Sequence, residues 1–91
     1  MVSTKRYAPE EIAQILQEYI TQEFTYDRPE LVVTNDFKLI EERLIDSLAI
    51  FRLMAFMEKR FGIGWESDEL VLANFETIDH MTACLLAKLA S

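Results

Sequence analysis

Across residues 46–62 the chain reads DSLAIFRLMAFMEKRFG, a run with apolar residues at helical spacing and no break until the glycine. Asp46 can cap the start by accepting from the free amides one turn in, and Gly62 can end the helix in a left-handed turn. At about 100° per residue, Ile50, Leu53, Met54, Met57 and Phe61 fall on one stripe, enough to face a core. Leu48, Phe51 and Ala55 lie off that stripe, on the side that carries Ser47. The segment thus holds more apolar surface than one buried face needs, and a patch beside an exposed helix start is expected. The alternative is that the preceding loop or a later helix covers Leu48 and Phe51.

The rest of the chain supplies partners for the main stripe. Pro9 suits a first helical position, Glu10 and Glu11 suit the positive helix start, and Ile12, Ile15, Leu16, Tyr19, Ile20 and Phe24 follow at helical spacing. Residues 25–43 contain Pro29, the Val32–Val33 pair and the turn-like Asn35–Asp36, and read as a long connection. Such a loop must pack through its own apolar residues, here Leu31, Val33, Phe37, Leu39 and Ile40. Ser67, Asp68 and Glu69 predict a short third helix ending before Asn74, and Thr77 with Asp79 starts a last one carrying Ile78, Met81, Leu85 and Leu89 on one face. The expectation is an all-α, four-helix bundle with a short third helix and a long loop between helices 1 and 2. Residues 1–91 read as one domain without repeats or a flexible linker.

Composition narrows the function classes. Nine basic and sixteen acidic side chains give a net charge of -7, which repels rather than attracts a phosphate backbone, so nucleic acid is not an expected partner. Lys5 and Arg6 stand near the start, but Glu10 and Glu11 occupy the place of a leader peptide's apolar core, and no membrane-spanning run appears. The single cysteine, Cys84, cannot form an internal disulfide. A cytoplasmic monomer is expected.

A helix-start serine draws interest because amides and dipole there favour a negative group, so a phosphate joined to the Ser47 hydroxyl would be stabilised. On these residues alone, a plain helix-start residue is the safer reading of Ser47. The motif DSL at Asp46, Ser47 and Leu48, preceded by Leu44 and Ile45 and followed by a helix closing in EKRFGI, resembles the acyl carrier proteins and the related peptidyl carrier proteins. DELVLANFETIDHM, residues 68–81, is similar to the family stretch that joins its third and fourth helices, and agreement in order and spacing runs from about residue 36 to 89.

That resemblance implies a 4'-phosphopantetheine arm on Ser47, transferred from coenzyme A by a magnesium-dependent phosphopantetheinyl transferase. Asp46 would cap the helix and be recognised by the transferase, while Leu48, Phe51, Arg52, Ala55 and Glu58 would meet partner enzymes. Those partners would be a loading enzyme of adenylating or acyltransferase type and downstream tailoring or condensing enzymes; the chain itself would catalyse nothing. It departs from the family in having Leu44 where many members have glycine. Glu58 is also the only acid between Ser47 and Phe61, whereas carriers of fatty acid synthesis have a strongly acidic second helix. NFETI, residues 74–78, resembles free-standing carriers of specialised pathways. These features favour an amino acid or small acyl group in nonribosomal peptide or polyketide assembly over general fatty acid synthesis.

Other constellations fall short. His80 and Cys84 stand four apart on the last helix, but no further His or Cys exists to complete a zinc site. RFGIGW lacks a phosphate-loop lysine and reads as a helix stop, and no calcium-loop pattern occurs. Trp65 and the methionines read as packing groups. The rival from another class is a helical interaction module without a prosthetic group.

Overall fold

The computed structural model describes residues 7–90; Lys5 and Arg6, weighed above against a leader peptide, lie outside them. The regular structure among the described residues is all helical, with no strand: α1 (Pro9–Phe24), α2 (Ser47–Phe61) and α3 (Ile78–Ala90), with two 3-10 turns, Ser67–Glu69 and Leu72–Phe75, between α2 and α3. No helix among them is long and apolar enough to cross a membrane.

Local chemistry accounts for the helix boundaries. At α1, Pro9 fills the first position and the Glu11 carboxylate accepts from the Ala8 amide at 2.8 Å. Gly62 ends α2 with φ 69°, its amide donating to the Glu58 carbonyl at 2.9 Å, a backbone state that glycine adopts at little cost. The Thr77 hydroxyl accepts from the His80 amide at 3.0 Å and so caps α3.

The expected short third helix is a correction: two 3-10 turns replace it, and the α-helices number three rather than four. Leu70 (φ -85°, ψ 59°) and Val71 (φ -117°, ψ 146°) leave helical conformation between the turns. The carbonyl of Glu69, which a continuing α-helix would use, instead accepts from the Asn74 side chain at 2.8 Å. β-Branched Val71 also favours extended backbone.

The core runs along the expected stripes. Ile12, Leu16 and Ile20 of α1, Leu53 and Met57 of α2, and Ile78, Met81 and Leu85 of α3 are fully buried. α1 and α3 approach each other closely along their backbones. Long side chains bridge α1 to α2: the rings of Tyr19 and Phe56 stack with centroids 4.0 Å apart.

The loop between α1 and α2 is fastened rather than loose. Val33 and Leu39 are buried in the core, and the Gln17 side chain donates to the Val33 carbonyl at 2.8 Å. The Leu39 amide donates to the Glu76 carbonyl at 2.8 Å, and the Glu76 carboxylate accepts from the amides of Ile40 and Glu41 at 3.2 Å each. Leu44 and Ile45 both return amide bonds to the Leu39 carbonyl, and Arg43 takes φ 63° to close that turn. The left-handed residue of the turn into α2 is thus Arg43, and Leu44 after it is buried.

Removing the Leu39 side chain therefore leaves a cavity under the loop that leads to Ser47. Leu39→Ala is expected to lower unfolding free energy by about 2–5 kcal/mol, measured by urea denaturation, although the residue lies outside any α-helix.

Candidate functional site

Leu44 and Ile45 are buried, while Asp46, Ser47 and Leu48 are exposed, so the chain passes from core to surface in one step. Asp46 has extended backbone and its Oδ1 accepts from the Ala49 amide at 2.9 Å. The first intrahelical bond runs from the Ile50 amide to the Asp46 carbonyl, which leaves the amides of Ser47 and Leu48 outside the helix's own bonding. Ser47 is the first helical residue, and its hydroxyl sits at the positive end of α2.

The predicted surface patch is present. Leu48 is 70% exposed and Phe51 63%, so neither the loop nor the later turns cover them. Ala55, Arg52 and Glu58 are exposed along the same helix. Arg52 is ion-paired to Glu23 of α1 and lies over the Phe24 ring, 5.1 Å from its centroid. Its charge is thus partly engaged within the chain, whereas Glu58 has no ion pair among the described residues.

Ser47 borders a cleft of about 180 Å³ lined otherwise only by apolar residues: Ile50, Phe51 and Met54 on one side, and Leu70, Val71, Leu72 and Phe75 on the other. The second wall was not identified from the sequence. Its signal was the run Leu70, Val71 and Leu72, three consecutive apolar residues that no single helical stripe could bury. All three are exposed. Met54, placed on the core stripe by its spacing, is only half-buried and faces this cleft.

The second wall is anchored from below. The Lys88 ammonium lies 2.6 Å from Glu69 Oε1, which also accepts from the Glu66 amide at 2.7 Å. Together these hold the Glu69 carboxyl below the usual carboxylate range. Lys88 also sits over the Trp65 ring, and Trp65 donates to the Met54 carbonyl at 3.3 Å, so one cluster ties α2, the 3-10 turns and α3 together.

The His80–Cys84 pair does not assemble a reactive centre. His80 Nδ1 lies 2.6 Å from the Thr77 hydroxyl, which also accepts from the His80 amide, so the ring is engaged in the cap of α3. Burial, reinforced by the Glu69 charge and opposed by Lys88, pushes the Cys84 thiol up, away from the reactive thiolate. No cluster of three or more potential metal ligands occurs among the described residues.

No model of a known protein family matches the chain, and a search of curated proteins found no significant match.

Two predictions follow from this geometry. Asp46→Ala should cost about 0.5–2 kcal/mol through loss of the cap, whereas Phe51→Ala should stay within about 0.5 kcal/mol of wild type; thermal and urea unfolding distinguish them. Because the folded-state pKa of Glu69 is depressed, its contribution is complete above the ordinary glutamate range and is lost as pH falls through the lower folded value. Unfolding measured at stepped pH should therefore show a steeper acid decline for wild type than for Lys88→Met; equal slopes would refute the assignment.

Proposed function

We propose that this chain is a free-standing carrier of the acyl or peptidyl carrier type, with a 4'-phosphopantetheine arm attached at Ser47. The observation that carries the reading is an exposed serine hydroxyl at the first position of a capped helix, beside an apolar cleft, within the motif DSL. The residues fit the group: the hydroxyl is open to an enzyme, and the unbonded amides of Ser47 and Leu48 favour a phosphodiester there. The three-helix arrangement with a long fastened loop is taken as a variant of the carrier bundle.

In the transfer, Ser47 Oγ forms a bond to phosphorus in the coenzyme A pyrophosphate and loses its proton to a base of the transferase, while adenosine 3',5'-bisphosphate departs. An arm held on Ser47 would supply a terminal thiol for carrying cargo. Asp46 keeps the helix end rigid so that the hydroxyl is presented in one orientation. Leu48, Phe51 and Ala55 offer the apolar contact for partner enzymes, with Arg52 and Glu58 beside them. In this reading catalysis belongs to the partners.

On α2, Arg52, Lys59 and Arg60 stand against the single acid Glu58. That balance supports a specialised pathway handling an amino acid or small acyl group over general fatty acid synthesis, because interfacial charge governs which partners are accepted.

Incubation with coenzyme A, magnesium and a broad-specificity phosphopantetheinyl transferase should raise the intact mass by one phosphopantetheine, and Ser47→Ala should show no change while keeping its helicity. An unmodified wild-type mass would refute the reading and leave the helical interaction module.

A further inference from the structure

We propose that Glu76 is a positioning residue for Ser47: its carboxylate, outside the cleft, holds the serine hydroxyl in place for group transfer. The backbone of Glu76 belongs to one side of the site. It directly follows the 3-10 turn Leu72–Phe75, and buried Phe75 lines the far wall of the cleft that Ser47 borders. Its polar atoms reach the other side. The carbonyl accepts from the Leu39 amide, and a single carboxylate oxygen, Oε2, accepts from both the Ile40 and the Glu41 amides. From there the path to the hydroxyl is short, because the Leu39 carbonyl accepts the amides of Leu44 and Ile45, the last buried residues before Asp46 and Ser47. One residue thus sets the far wall against the loop that delivers Ser47.

The backbone and side-chain bonds of Glu76 differ in what they hold. The bond from the Leu39 amide uses the Glu76 carbonyl and survives any change of side chain, as does the bond from the Asp79 amide to the Asn35 carbonyl, which ties the same loop to α3. The fold therefore does not depend on the carboxylate. Ile40 is half-buried and Glu41 exposed, so without the carboxylate their amides can turn to water and the segment leading to Ile45 can shift. The start of α2 feels that shift. Since the amides of Ser47 and Leu48 lie outside the helix's own bonding, the first turn is held by the Asp46 cap and by the connection through Ile45. A small displacement of an attacking oxygen is enough to slow a transfer reaction.

The transfer role rests on the carrier reading, whereas the hold of Glu76 on the loop can be read from hydrogen exchange alone. Wild type, Glu76→Ala and Glu76→Gln are compared as full chains, each well below its melting temperature. With coenzyme A, magnesium and a broad-specificity phosphopantetheinyl transferase, Glu76→Ala should lower kcat for modification about fivefold or more while KM for the chain stays within about twofold, because Leu48 and Phe51 are untouched. Glu76→Gln keeps an acceptor oxygen at the same place and should return kcat to within about twofold of wild type. In the unmodified chains, Glu76→Ala should speed exchange of the Leu44 and Ile45 amides about tenfold more than that of Ile20 in α1, a contrast that uniform destabilisation would not produce. An unchanged kcat in Glu76→Ala, no rescue by Glu76→Gln, or protection lost equally from α1 and the loop would overturn the proposal. A wild-type chain that takes no arm would instead sink the carrier reading and the transfer role with it, and the exchange contrast would still decide whether Glu76 holds the loop.

Discussion

The clamp between Leu39 and Glu76 is the constraint on which the rest depends. Leu39 is fully buried without belonging to an α-helix, and its peptide groups are satisfied on both sides: the amide by the Glu76 carbonyl, the carbonyl by Leu44 and Ile45. The Glu76 carboxylate meanwhile accepts two successive loop amides. A buried loop ordinarily fails because its polar backbone cannot be paired away from water. Here one glutamate just before α3 supplies acceptors for three successive amides, so Leu39 is buried while most of the connection stays at the surface. With Leu39 fixed, Leu44 and Ile45 enter the core and Asp46 and Ser47 must emerge.

Most of the helical framework was legible because it rests on short-range chemistry. Pro9, Asp46 and Gly62 mark helix ends through conformational preferences that act over a few residues, and the stripes on α1, α2 and α3 follow from the 3.6-residue period. The exposure of Leu48 and Phe51 was legible for the same reason: a helix cannot bury opposite faces against one small core. The third helix was misread because its ending is decided at long range. Asn74 captures the Glu69 carbonyl and Lys88 holds the Glu69 carboxylate, and neither contact has a signature in a local window. The second wall of the cleft was hidden with it, since Leu70, Val71 and Leu72 converge on Ser47 only through that fold.

Function was legible to a smaller degree than fold. A serine after an aspartate at a helix start is compatible with simple capping, and three letters recur by chance. What strengthens the carrier reading is the coincidence of features that capping alone does not require: an exposed hydroxyl, amides outside the helix's bonding, and an apolar cleft at its side. A serine serving stability alone would gain nothing from the cleft. The apolar walls would in fact be an avoidable cost, because exposed Leu48, Phe51 and Leu72 forgo the burial free energy available to other large apolar side chains.

That cost bears on self-association. Several large apolar side chains lie close together around one cleft, the kind of patch that drives association. The net charge of -7 opposes it at long range, since two copies repel before their patches meet.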